Sequence, residues 1–385
     1  MINFLQSIVQ LDALTGVHQA IKTLTHPNAK NTMNNSAVVS THELTQFAFK
    51  LLSGAGMADE KAATVARLLT VTDMMQRHTH GVALIPLYID QLRQELMAKD
   101  GVTELIKDTG STVVWDGKYL PGLWLVDQAL HMAFDRVAAH GVVTVVMRRS
   151  HHIACLAALV KQATDRGYVA ILATSDPSGK FVAPFGGREP VMTPNPFAIG
   201  YPGTKGPVLV DISASITTVS MARTKAAAGV PFDYPWLIDN QGNPTTDPRV
   251  LEQTTPRGSL MLLGGAEYGH KGFGLALMVE ALTQGLSGQG RLDEPKRWGG
   301  NVFLQVLDPK AFAGSEGFLS QMDFIGDACR ASAPAKEGGM VRLPGDQATR
   351  NILLAQTHGI ALSEATRSKL TACAETLGLA SPFAA

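Results

Sequence analysis

The chain has 385 residues, 45% of them hydrophobic, enough for one large core or two interlocked ones and too much for a single small binding module. Thirty-three Lys plus Arg balance thirty-three Asp plus Glu, so the surface has no net field to hold polyanionic nucleic acid. Three cysteines, Cys155, Cys329 and Cys373, are far apart and form no C-x-x-C pair, which points to a reducing, cytoplasmic setting.

Residues 1–36 read as an extension: Met1 to Leu24 is expected to form an amphipathic helix, and His26 to Ser36 is polar and rich in breakers. Gln6, Gln10 and Asp12 interrupt the apolar run a secretory signal needs, and no later stretch approaches the ~20 apolar residues of a membrane span. Ser40-Thr41-His42-Glu43 is a capping box opening a helix to about Leu52, and Asp59 starts a second helix to about Met75. A third helix is expected after Thr79-His80-Gly81, with Pro86 near its first turn. From Thr112 the texture changes to short β-branched runs, Thr112 to Trp115, Val142 to Met147, Val169 to Ala173 and Val208 to Ile212, interleaved with helices near 124–139 and 153–166.

Ser175 to Gly206 is a long Gly- and Pro-rich connection, a type of segment that usually carries function. Gly264 to Gly274 reads as a glycine-dense turn running into an apolar helix, Leu275 to Leu286. A strand near Val302 to Leu307 and helices at about 347–358 and 363–377 complete the chain. The expected division is therefore 1–36 as extension, 37–110 with 270–385 as a mainly helical domain, and 111–269 as an α/β cofactor- and substrate-binding domain.

Within the glycine turn, Lys271 beside exposed amides suggests an anion site, while the alternative is a turn closing a helix against a crowded neighbour. The spacing is neither a P-loop nor a G-x-G-x-x-G following a strand, so a dinucleotide would bind on a non-Rossmann fold. Two histidine sites, Arg77-His78-Thr79-His80-Gly81 and Arg149-Ser150-His151-His152, lie where loops enter helices. The dipole there favours neutral imidazole able to offer an N–H to a substrate oxygen, though capping or packing histidines would look the same. Asp211 closes a strand and is followed by Ile212-Ser213-Ala214-Ser215, which could begin a helix with Asp211 either facing a site or serving as its N-cap. No H-E-x-x-H, zinc-spaced Cys/His cluster or G-x-S-x-G occurs, which argues against metal and serine-hydrolase chemistry.

Taken in order, Thr79-His80-Gly81 with Tyr88, Ser150-His151-His152, Pro184-Phe185-Gly186-Gly187, Asn195-Pro196, Asp211 to Ser215, Pro244 to Pro248, Gly269 to Gly274 and Leu343-Pro344-Gly345-Asp346 resemble the type-2 malate/L-lactate dehydrogenase family. The likeness covers about Val38 to Leu379 and is greatest to the 2-hydroxycarboxylate dehydrogenase branch. It implies an α+β fold in which a non-Rossmann mixed-sheet cofactor domain joins a helical domain formed by the N- and C-terminal segments. It further implies a homodimer, NAD or NADP as cofactor, and a small-molecule substrate, with no role for nucleic acid, membrane or metal.

By the same resemblance His80 is the proton donor, His152 a second active-site histidine and Asp211 a further catalytic group. Thr79, Leu84, Tyr88 and Asn195 are expected to meet substrate. Ile212, Ser213, Ala214 and Ser215, then His270 and Lys271, then Pro344, Gly345 and Asp346 are expected to meet cofactor.

The chain departs from the family at Thr79, often Ser, and Leu84, often Arg. It departs again at Thr193-Pro194, usually Gly-Thr, at Ser220-Met221, usually Gly-Lys, and at Asp346, more often Glu. The expected reaction interconverts a 2-oxo acid and a 2-hydroxy acid, the alternatives being reduction of a cyclic imino acid or a catalytically silent homologue. His80, Leu84 and Tyr88 fall on one helical stripe, which predicts an apolar substrate tail unless Arg149 or Arg223 supplies the missing cation.

Overall fold

The computed structural model describes residues 38–252 and 256–383; the expected extension over 1–36 lies outside them. Short strand β1 (Val38–Val39) leads into α1 (Thr41–Gly54), whose start is capped by Ser40 Oγ accepting from Glu43 N at 3.1 Å. Helix α2 (Asp59–Met74) packs on α1 through Leu44, Leu51, Val65 and Leu69, all buried. The expected third helix is broken: single 3₁₀ turns at His78–His80 and Val82–Leu84 precede α3 (Ile85–Arg93), which has its proline in the first turn.

Strands β2 (Glu104–Asp108) and β3 (Thr112–Asp116) form a hairpin, followed by α4 (Gly122–His140), β4 (Val142–Ser150), α5 (Leu156–Thr164), β5 (Val169–Ser175), β6 (Phe197–Tyr201) and β7 (Val208–Ile212). After α6 (Val219–Ala228), the short strands β8 (Leu237–Ile238), β9 (Pro244–Thr245) and β10 (Ser259–Leu260) make a separate three-stranded sheet. The chain ends with α7 (Gly265–Glu280), β11 (Gly300–Leu307), α8 (Ser315–Ala331), α9 (Asp346–His358), β12 (Ile360–Ala361) and α10 (Glu364–Thr376).

The main sheet runs β2-β3-β4-β11-β5-β6-β7 and is antiparallel except for the parallel pair β3 and β4. Strand β11 comes from the C-terminal part of the chain yet is the middle strand, pairing with β4 on one side and β5 on the other. Val302, Leu304 and Val306 are wholly buried, as expected of a central strand covered on both faces.

The glycine-dense segment is a second correction. It is already helical, α7 starting at Gly265 behind Gly264 in the left-handed region, so Gly269, Gly272 and Gly274 lie inside the helix. The smallness of Gly272 serves packing: a Cβ there would lie 2.5 Å from Leu263 N and 2.7 Å from Ala214 O. The helix thus presses directly on the crossing where Leu263 N donates to Ala214 O at 2.7 Å, just beyond the end of β7.

Candidate active site

Helix α2 ends in a turn that presents His80. Asp73, buried near that end, accepts from Val82 N at 2.7 Å through Oδ2 and meets His78 Nδ1 at 2.8 Å through Oδ1. Burial raises the Asp73 pKa, while its hydrogen bond to His78 raises that imidazole. The carboxylate fills the space beside Gly81 so closely that a Cβ there would fall 2.2 Å from Asp73 Oδ2. Gly81 of the Thr-His-Gly motif is therefore demanded by a close approach and not by a positive φ.

His152 enters from the opposite side, on the loop between β4 and α5. Arg149 and Ala154 adopt φ of 52°, and a Cβ on Gly122 would lie 2.1 Å from His151 O, so a tightly fitted backbone fixes the loop. The side chains of the adjacent pair diverge. His151 is wholly buried, with Nε2 3.4 Å from Gln91 Oε1, while His152 turns toward His80, ring centroids 6.2 Å apart.

Burial, followed by the neighbouring histidines, pushes the His152 pKa down to about 3. Burial also lowers His80, where Arg77 adds to the effect and Asp211 opposes it. Both rings are neutral near pH 7. Tyr88 Oη is 2.9 Å from His152 Nδ1, and burial raises the phenol far above its ordinary value. The phenol keeps its proton, and when it donates to Nδ1 the His152 ring proton sits on Nε2. Thr79 Oγ1 meets His80 Nδ1 at 3.0 Å in the same manner.

Asp211, near the end of β7, completes the cluster. Its Oδ2 accepts from Ala157 N at 3.0 Å and from the Cys155 thiol at 3.7 Å, so it caps the start of α5. The alternative of an N-cap for a helix directly after it does not hold, since α6 begins only at Val219 behind its own cap, Thr218. Burial raises the Asp211 pKa, and the charges of Arg77 and His80 oppose that rise.

Two residues expected to meet substrate make contacts within the fold. Asn195, wholly buried with φ of 46°, donates through Nδ2 to Glu280 Oε1 at 2.9 Å and Ala276 O at 3.2 Å, and accepts from Thr193 Oγ1 at 2.8 Å. It ties the 193–196 loop to α7, with both side-chain N–H groups engaged there. Leu84, at the junction of a 3₁₀ turn and α3, is half-buried and packs against the main core.

The expected cofactor segments are drawn together in part. Pro344 O accepts from Leu209 N at 2.9 Å, which lays Pro344-Gly345-Asp346 along β7 just before Asp211. Asp346 accepts from Leu343 N and pairs with Arg330 at 2.7 Å. Ile212 is exposed, Ala214 is buried, and Ser213 and Ser215 Oγ donate to Ser215 O and Thr217 O, holding the turn in place. His270 and Lys271 are exposed on α7, with no carboxylate paired to Lys271 among the described residues. His270 packs on Phe185, which helps line a cavity of about 680 Å³ together with Gly186, Gly187, Gly265 and Ala266.

Sequence reasoning missed Asp73, Cys155 and Trp298. The Trp298 ring lies 4.9 Å from both His151 and His152 and walls the pair from the side of β11. Its signal was the Gly299-Gly300 pair that follows: a Cβ on Gly299 would come within 2.7 Å of Ser150 O.

Two imidazoles held neutral by burial thus lie beside the buried carboxyl of Asp211. The chain belongs to the malate/L-lactate dehydrogenase family, whose profile matches residues 39–371. An L-lactate dehydrogenase of Cupriavidus necator is 29% identical over 320 residues, 81% of this chain and 90% of that protein. Delta(1)-pyrroline-2-carboxylate reductase 2 of Burkholderia multivorans is 30% identical over 291 residues, 73% and 83% of the two chains. The malate dehydrogenase structure from Entamoeba histolytica superimposes with a TM-score of 0.85 at 22% identity, covering 91% of this chain and all of that one, which shows the shared fold. The expected α+β, mixed-sheet architecture and the family assignment both hold.

Proposed function

We propose that this protein is an NAD(P)-dependent oxidoreductase that interconverts a 2-oxo acid and a 2-hydroxy acid. The observation that carries the reading is the facing pair His80 and His152, both held neutral by burial and each anchored at Nδ1 by a hydroxyl. What supports a dinucleotide is the exposed Lys271, which has no carboxylate partner among the described residues, on α7 beside a cavity of about 680 Å³ lined by Phe185, Gly186, Gly187, Gly265 and Ala266. Lys271 and His270 would hold its phosphates, and the backbone of Ile212 to Ser215 with Pro344 to Asp346 would hold the end near the histidines. Once bound, a nicotinamide cofactor supplies or accepts the hydride.

This chain's own residues handle the proton. In oxidation, neutral His80 takes the proton of the substrate hydroxyl, and the imidazolium that forms is favoured by the Asp211 charge. In reduction the protonated ring returns it to the carbonyl oxygen. His152, with its proton on Nε2, donates to the same oxygen and orients it, held by Tyr88 and Trp298.

Spectrophotometric oxidation of NADH and NADPH against a panel of 2-oxo acids tests the reading and decides the cofactor. Turnover confined to cyclic imines without ammonia would instead favour imino-acid reduction, the activity named for the Burkholderia multivorans relative. Three free cysteines support a cytoplasmic setting, and the family resemblance supports a homodimer.

A further inference from the structure

A 2-oxo acid carries a carboxylate beside its reacting carbon, and an anion drawn out of water needs a charged partner or several donors. Leu84 offers neither. Most arginines around the histidine pair are already committed: Arg148 and Arg149 both bind Asp116, at 2.8 and 2.9 Å. Arg297 donates to Glu95 O and Leu96 O at 2.8 and 2.7 Å and lies over Tyr119, while Arg291 holds Glu280 and Gly179 O.

Arg77 differs. Among the described residues its guanidinium takes part in no hydrogen bond or ion pair. Its backbone is well fixed: Arg77 N donates to Thr72 O at 3.1 Å behind Gln76, whose φ is 60°, and Arg77 O accepts from His80 N at 2.9 Å. Arg77 therefore heads the 3₁₀ turn that ends in His80. The single backbone bond from His80 N ties Arg77 to the turn presenting His80, and the Arg77 charge is near enough to act on both His80 and Asp211.

We infer that Arg77 binds the substrate carboxylate, giving the site a second point of attachment beside the carbonyl oxygen held by the histidines. The placement rests on the oxo-acid reading of the site. Arg77 already bears on the cluster electrostatically, opposing the raised pKa of Asp211 and disfavouring protonation of His80. A bound carboxylate neutralises that cation, so binding of the acid itself makes His80 a better proton acceptor.

The test compares phenylpyruvate with its methyl ester in wild type, Arg77→Gln and Arg77→Lys. Arg77→Gln is expected to raise KM for the acid by about 10–100-fold, the range for a lost charged hydrogen bond, with kcat changed only a few-fold and ester kinetics unaltered. Arg77→Lys should fall between. An acid KM within two-fold of wild type, or equal losses on acid and ester, would overturn the assignment. Wild-type turnover decides the oxo-acid reading separately. If wild type turns over no oxo acid, phenylpyruvate binding to the NAD⁺-loaded protein is followed by tryptophan fluorescence; equal affinity in wild type and Arg77→Gln then overturns the role of Arg77, and weakened affinity supports it.

Discussion

His80 and Gly81 are adjacent and serve different ends. His80→Ala should lower turnover by about 10²–10⁴-fold, the usual contribution of a positioned general acid or base, while the dissociation constant of NADH stays within two-fold. A variant keeping half of wild-type kcat on its best substrate would remove His80 from the mechanism. The pH profile carries a sign. Oxidation needs the unprotonated ring; because burial holds His80 below its ordinary value, the rate should rise with pH through that lowered value and level off at lower pH than for a free imidazole. Reduction needs the protonated ring and should fall over the same window. Opposite slopes in kcat/KM for the two directions are the check.

Gly81→Ala forces a methyl into the Asp73 carboxylate, where it would sit 2.2 Å from Oδ2. The expected cost is about 1–3 kcal/mol, typical of overpacking, read as a lowered midpoint in urea unfolding. An unchanged midpoint would mean that the turn yields freely.

At the scale of elements, legibility depended on how local the cause was. The Ser40 cap and the β-branched run of β4 were readable because a cap is a four-residue hydrogen bond and a buried strand needs only its own side chains. The glycines of α7 were misread because a glycine chosen for close helix packing looks, in a single sequence, like one chosen for a turn. The contact with Leu263 and Ala214 that decides between them comes from elsewhere in the chain. The bonds from the Asn195 amide to α7 were illegible for a related reason, their partners lying 80 or more residues away.

The reassigned helix keeps Lys271 exposed, so the contact with a cofactor phosphate should be screened. Lys271→Ala is expected to weaken NADH or NADPH binding more at low than at high ionic strength. A cofactor affinity that responds to salt identically in wild type and variant would leave Lys271 a solvated residue on α7.

For the molecule as a whole, the dominant fact is that β11 enters between β4 and β5 after the rest of the sheet has been synthesised. Its burial makes it indispensable. Leu304→Ala should cost about 2–5 kcal/mol, as large-to-small core substitutions do, and a chain ending at residue 298 should show no cooperative unfolding transition by far-UV circular dichroism. A cooperative transition in that truncated chain would show that β4 and β5 can close the sheet by themselves.

Trp298 immediately precedes Gly299 and β11, and its indole is one wall of the histidine pair. The wall and the keystone strand are thus consecutive in the chain. A nascent polypeptide on the ribosome can carry His80, His152 and Asp211 and still lack a working centre until the strand after Trp298 is threaded home. The wall facing the histidines is therefore laid down together with the last strand to join the main sheet.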